Sequence, residues 1–351
     1  MFSTCETIVF GKGNGESVLV HLTENDWLIT DSCLDNNNEP AAINYLKSRG
    51  VDPAVSVKVI VISHFHNDHI QGILETIKCC KNARVYMSSA LTQKEFIHYI
   101  FEYQGDEKAK KATEFINLFK FLRETKFDIN YVVADTCLYR NKNISIEALS
   151  PCSQDIKDSQ ENFAKHTLKS GSNPDTLFAL PAGKPNHYCV VLRVYDSLIN
   201  TAHDILLGAD LEIKAGRGWD SVCKAVCAPK AKNVAIFKIP HHGSETGYHQ
   251  ATWDSIISNQ PISILTTFDT CSLPREDMVE KYKSLSRALY CTANPKIAKK
   301  CIDNSKVKKV LASLKTSVRS NGAISRFGAV IIKNPFSSPD VYLHGDAVQL
   351  K

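Results

Sequence analysis

No stretch of the sequence approaches the roughly 18 consecutive apolar residues that a membrane-spanning helix needs, which argues against a helical membrane protein. Zinc-finger pairing is missing too: Cys79-Cys80 and Cys223/Cys227 have no second pair at the right spacing, so a structural zinc site is not expected. The start, Met1-Phe2-Ser3-Thr4-Cys5-Glu6, shows no basic and apolar secretory signal. The twelve cysteines are dispersed along the chain, unlike the dense framework of a small secreted domain, and are expected to be reduced thiols in a soluble, cytoplasmic protein. Charge of one sign does not dominate either. The net charge is +5, and the basic clusters Lys108-Ala109-Lys110-Lys111, Lys296 to Lys300 and Lys306 to Lys309 read better as solvated helix faces than as a nucleic-acid footprint. No internal repeat or low-complexity linker is present. With 43% hydrophobic and 23% charged residues over 351 positions, the chain has the composition of a folded protein and the length for a large core.

The pattern of elements is mixed α/β. Thr7 to Phe10 and Ser17 to Leu22 flank a Gly/Asn cluster and read as a hairpin, and Trp27 to Thr30 ends at Asp31-Ser32-Cys33. Val57 to Ile62 is apolar and β-branched except for one lysine, as suits a strand covered on both faces. Ile70, Ile73, Leu74 and Ile77 then repeat at helical spacing, so a strand, a short loop and a helix follow one another within a few residues. Arg84 to Met87 is a further strand. The segment 91–126 reads as a helical insertion with Phe96, Ile100, Phe115, Leu118 and Leu122 as its inner face, and 152–185 as a polar, irregular insertion. Strands are expected at Ile144 to Leu149, Cys189 to Val194, Ile205 to Leu207, Val234 to Phe237 and Ile262 to Thr266, and a helix at Asp277 to Ser286. A strand at Ala288 to Tyr290 precedes the extension 293–351, which ends in a strand pair around 323–332 and 341–350. The whole is expected to form a single domain over 1–351.

Chemistry concentrates at His64-Phe65-His66-Asn67-Asp68-His69. Three of the chain's 12 histidines and a carboxylate fall within six residues, directly after a buried strand. Imidazole and carboxylate are the ligands that zinc and manganese take, and one tight loop can turn all four inward. The adjacent His241 and His242 diverge if their backbone is extended, so both cannot easily serve one ion. Ser244 is read as a cap for a following helix.

His64-x-His66-x-Asp68-His69 resembles the signature of the metallo-β-lactamase superfamily. Ile205-Leu206-Leu207-Gly208-Ala209-Asp210 is similar to its strand ending in a metal-bridging aspartate, and Ile239-Pro240-His241-His242-Gly243-Ser244 to its final histidine motif. Gly13 to Val20, Asp31-Ser32-Cys33 and Asn186 to Arg193 further resemble the hydrolase domain of the DNA-uptake protein ComEC and its soluble relatives. The resemblance implies a four-layer αββα sandwich and two divalent metal ions, zinc with manganese as the alternative. It implies His64 and His66 at the first ion, Asp68, His69 and His242 at the second, and Asp210 bridging. Asp68 would also pass on a proton, and His241 would contact substrate or donate a proton. A separate middle histidine has no counterpart; Asn186 and His187 stand in its place as an additional ligand or substrate contact, with His166 and His203 behind them. Cys189, where the relatives usually carry a small hydroxyl residue, reads as a buried thiol.

The expected activity is a metal-dependent phosphodiesterase or nuclease, in which hydroxide held between the ions attacks a phosphodiester of a nucleic acid or nucleotide. The alternatives are a carboxylic ester or lactone hydrolase and a non-catalytic metal-containing member of a multi-protein system.

Overall fold

The computed structural model describes residues 5–91, 113–125, 127–141, 143–170, 185–198, 203–229, 232–295 and 327–351. The expected opening hairpin forms from β1 (Glu6–Lys12) and β2 (Glu16–Thr23), paired antiparallel with Thr7 opposite Val20. Gly13 in its turn has φ +64°, and a Cβ there would lie 2.5 Å from the Asp269 carboxylate, so both conformation and space demand glycine. From β3 (Asp26–Thr30) the sheet becomes parallel through β4 (Val57–Ile62), β5 (Arg84–Ser88) and β6 (Ile129–Val132).

The second sheet begins at β7 (Cys137–Asn141), β8 (Ile144–Ala148) and β9 (Leu192–Asp196). It continues through β10 (Asp204–Leu207), and β11 (Ile213–Lys214) with β12 (Arg217–Gly218) forms a separate two-stranded ribbon. Then follow β13 (Val234–Lys238), β14 (Ile257–Leu265) and β15 (Ala288–Cys291), parallel to one another and to β10. The tail divides: β16 (Phe327–Lys333) and β17 (Asp340–Gly345) close the first sheet, whereas β18 (Val348–Gln349) pairs with β15 in the second. The second member of the expected strand pair is therefore two strands, broken where Gly345 takes φ +63°.

Strand alternation explains the layers. On β4, Val59 and Val61 face the second sheet, where they meet Ile146, Val194, Ile205 and Leu207, while Ile60 and Ile62 face outward. The outward residues are covered by α1 (Ala41–Ser48), α3 (Asn67–Ile70), α4 (Ile73–Cys79) and α5 (Thr113–Thr125), which bury Leu46, Ile70, Ile77 and Leu118. The short α2 (Pro53–Ser56) precedes β4. The far face of the second sheet, including Leu206 and Phe237, is covered by Trp219 and Val222 of α7 (Trp219–Val222), Trp253 of α8 (Gln250–Ser255) and Tyr282 of α9 (Glu276–Leu285). The result is the four-layer αββα sandwich that the motifs implied.

Two further expectations change. The segment Ser153–Ser170, read as irregular, is a helix, α6. It lacks a clear apolar stripe because polar contacts anchor it: Asp155 accepts from the Cys152 N–H at its first turn (3.1 Å), and Asp158 pairs with Lys214 (2.6 Å) and Arg217 (2.8 Å) of the ribbon. The expected helical run through Ile70 and Ile77 is two short helices, α3 ending at Ile70 and α4 starting at Ile73, separated where Gly72 has φ +76°. Phe96 and Ile100, most of the segment 91–112, residues 171–184, and the basic clusters at 108–111, 296–300 and 306–309 lie outside the described residues, as does the side chain of Phe115.

Candidate metal centre

Parallel strands end together, and the site is built on such ends. Asp31 closes β3, His64 follows β4, Asp210 follows β10, His242 follows β13 and Thr266 follows β14. Because β3 and β4 belong to one sheet and the other three strands to its partner, the histidine loop of the first half meets the aspartate and histidine of the second across the edge of the sandwich.

A buried carboxylate organises the first motif. Asp31 accepts from the Ser63 N–H (2.7 Å), the Ser63 hydroxyl (2.7 Å) and His69 Nδ1 (2.8 Å). Since the single hydroxyl hydrogen of Ser63 goes to that carboxylate, its oxygen accepts from His64 Nδ1, 3.0 Å away. Both rings thus spend Nδ1 on protein partners and keep Nε2. These two Nε2 atoms and Asp210 Oδ1 are buried without a hydrogen-bond partner, an arrangement that a protein rarely leaves uncompensated.

The unpaired atoms converge. His69 Nε2 lies 3.2 Å from Asp210 Oδ1 and 3.5 Å from Asp68 Oδ2. His242 Nε2 lies 2.9 Å from Asp68 Oδ2 and 3.7 Å from Asp210 Oδ2. Two groups offer ligand atoms all within 4.8 Å of one another: His64, His66 and Asp210, and Glu16, His69, Asp210 and His242. Asp210 belongs to both. Four buried carboxylates, Glu16, Asp31, Asp68 and Asp210, gather here with one buried lysine, Lys238, so the donor chemistry and the surplus of negative charge fit divalent cations.

Electrostatics run the same way. Burial drives His64 and His66 below the ordinary histidine range, and neighbouring imidazoles add to it for His64. Burial also opposes the charged form of His69 and His242, but the surrounding carboxylates, Asp210 foremost, outweigh it and raise both. For Asp68 and Asp210 burial pushes upward, yet the neighbouring histidines hold both below the usual carboxylate range. Asp31 is raised by burial, which its contacts with His69 and Ser63 only partly offset.

His241 and His242 do diverge, though their backbone is not extended. His241, His242 and Gly243 take φ values of +49°, +51° and +75° in succession, a left-handed turn costing roughly 1 kcal/mol or more at each non-glycine residue. It sends the buried His242 ring into the centre and leaves His241 half-buried, with ring centroids 6.4 Å apart. His241 joins a second cluster: its Nε2 is 3.3 Å from Asn186 Nδ2, and its Nδ1 is 3.1 Å from Glu212 Oε1. Glu212 also accepts from Asn186 Nδ2 (3.1 Å) and lies 3.6 Å from His187 Nε2. Asn186 and His187 are thus brought to His241, and neither belongs to the two converging groups; Asn186 Oδ1 is buried without a hydrogen-bond partner. His203 sits before β10, at the strand end opposite Asp210, and the side chain of His166 lies outside those described. Cys189 is a buried thiol, as expected. Ser244 stands at the N-cap of a short 3-10 turn, Glu245–Gly247, but makes no side-chain capping bond; its hydroxyl lies 3.2 Å from that of Thr246.

Sequence reasoning passed over Ser63, Thr266, Lys238 and Glu212, and assigned no role to Glu16 or Asp31 although both stand in the quoted motifs. Ser63 beside His64 and Glu212 beside Asp210 were the readable signals; nothing local marks Lys238 or Thr266.

No known family model matches the chain, and no curated protein matches it. Among solved structures, it is similar to a metallo-β-lactamase from Cronobacter sakazakii (15% identity, covering 66% of this chain and 75% of that one, TM-score 0.34). It is also similar to the metallo-β-lactamase fold protein YhfI from Bacillus subtilis (13%, 67% and 71%, 0.33). A third is a subclass B3 metallo-β-lactamase of Bradyrhizobium japonicum (15%, 86% and 90%, 0.35). Likeness at this level says nothing of activity or substrate. Among the described residues no helix is long and apolar enough to cross a membrane.

Proposed function

We propose that the chain is a metallo-β-lactamase-superfamily hydrolase with a two-metal centre, acting on phosphodiesters. The observation that carries this reading is the convergence of the unpaired, buried His64 Nε2, His69 Nε2 and Asp210 Oδ1, with Asp210 shared between two groups of ligand atoms. His64, His66 and Asp210 would hold one ion, and His69, His242 and Asp210 the other; Asp68, expected as a further ligand there, stands in neither group of converging atoms but lies 2.9 Å from His242 Nε2 and 3.5 Å from His69 Nε2. Zinc suits this nitrogen-rich set, with manganese as the alternative. Two such ions supply Lewis-acid polarisation of a phosphoryl oxygen and a water acidic enough to attack at neutral pH.

The chain's own residues have separable tasks. Asp68 is the most exposed carboxylate of the centre, at 10% against 3% for Asp210, and as an ionised group it accepts a proton from the attacking water. His241, at 21% exposure and held between Asn186 and Glu212, is placed to contact substrate or donate a proton. The resemblance to the ComEC-type domain and a net charge of +5 favour an anionic substrate such as a nucleic acid or nucleotide. The test is hydrolysis of bis-p-nitrophenyl phosphate by zinc- and manganese-loaded protein, followed by single-stranded DNA, RNA, cyclic dinucleotides and a lactone. Turnover of the lactone alone would replace the phosphodiesterase reading with an ester hydrolase.

A further inference from the structure

Glu16 stands in one of the two groups that can hold a metal, yet it lies on the wrong side of the rings. Its Oε2 is 3.4 Å from His242 Nδ1 and its Oε1 is 3.7 Å from His69 Nδ1, whereas Asp68 and Asp210 face the Nε2 atoms of the same two histidines. The Nδ1 side is already filled. Asp31 takes His69 Nδ1, and Thr266 Oγ lies 2.9 Å from His242 Nδ1. Both Glu16 oxygens are also engaged: Oε1 accepts from Lys238 Nζ, and Oε2 accepts from the Thr266 hydroxyl at 2.5 Å.

That contact settles the direction of the chain of bonds. Thr266 gives its one hydrogen to Glu16, so its oxygen accepts the Nδ1 hydrogen of His242, and Nε2, 2.9 Å from Asp68 Oδ2, is left as the nitrogen that faces the proposed metal site. The pattern repeats the one at the other histidine, where Asp31, Ser63 and His64 stand in the same order of carboxylate, hydroxyl and imidazole. Lys238 is 1% exposed and also donates to the Ala209 carbonyl, next to Asp210, at 3.3 Å. The buried Lys238 ammonium against Glu16 fixes that carboxylate behind the ring.

We propose that Lys238, Glu16 and Thr266 form a positioning relay that orients His242 and fixes its tautomer for metal binding, and that Glu16 is not itself a ligand. This rests on the two-metal reading of the site. Groups that hold a metal-binding imidazole in this way typically contribute 10–100-fold to metal affinity.

The experiment titrates the full metal-free chain with zinc against a competing chelator, and with cobalt(II) for its absorption spectrum. Thr266→Val, which removes the hydroxyl at nearly constant shape, is expected to weaken one of the two sites roughly 10–100-fold, and Thr266→Ser to restore it. Glu16→Gln is expected to weaken the same site, to add little when combined with Thr266→Val, and to leave the cobalt spectrum at saturation unchanged. Unchanged zinc affinity in Thr266→Val overturns the relay, and an altered saturated spectrum in Glu16→Gln makes Glu16 a ligand after all. Wild-type protein that binds no metal overturns the centre itself, which differs visibly from a relay failure, where wild type and variants bind alike.

Discussion

Asp31 Oδ2 and His69 Nδ1 lie 2.8 Å apart in the interior, and this contact turns the imidazole's other nitrogen toward Asp210. The same carboxylate holds Ser63 and, through it, His64. One side chain at the end of β3 thus sets two of the rings proposed to bind metal.

Replacing Asp31 should accordingly be felt twice. Asp31→Ala leaves the Ser63 N–H and the His69 Nδ1 hydrogen without their acceptor, at about 1–3 kcal/mol for each unsatisfied buried group. It should also weaken metal binding about 10–100-fold. Urea unfolding of the metal-free protein reads the first effect and zinc titration the second; a stable variant with unchanged zinc affinity would contradict the assignment.

Asp210 is the residue shared by both groups of ligand atoms. Asp210→Ala should reduce metal content at both positions, whereas His64→Ala should chiefly empty one. Elemental analysis after purification without chelators distinguishes them, with close to two ions per chain expected in the unaltered protein. Loss of only one ion in Asp210→Ala would rule out a bridging role.

Metal uptake should release protons. Without metal, the carboxylates around His69 and His242 outweigh burial and favour the protonated rings, but a bound ion needs the bare Nε2. Raising the pH removes the competing proton, so affinity should rise with pH and fall in acid. Adding zinc to lightly buffered protein at neutral pH should acidify the solution, and an unchanged pH reading would count against histidine ligation.

Away from the centre, Asp158 carries a stability signal. Burial pushes its pKa up, but Lys214, Gln154 and Arg217 together outweigh it and hold the carboxyl below the ordinary aspartate value. A depressed folded pKa stabilises above the unfolded value of about 3.9 and is lost as pH falls through the folded one. Asp158→Asn should therefore cost up to about 1 kcal/mol near neutrality, and the difference should shrink toward zero in strong acid. Thermal unfolding at the two pH values checks it; an equal deficit at both would assign the effect to packing.

How far the sequence reached depended on whether neighbours along the chain were also neighbours in space. The strand Val57–Ile62 was legible because burial on both faces requires an unbroken apolar run, and His64 to His69 because four ligand types fall in one loop. The helix Ser153–Ser170 was not, since its anchors, Lys214 and Arg217, lie some 60 residues away and leave no apolar period behind. The sequence by itself determined the alternating strands, the motif that starts the site and the candidate partners Asp210 and His242. Only the tertiary structure decided which nitrogen of each ring stays free. That choice belongs to hydrogen bonds from His69 to Asp31 across 38 positions and from Thr266 to Glu16 across 250, and bonds of that span are fixed by sheet packing rather than by any local pattern.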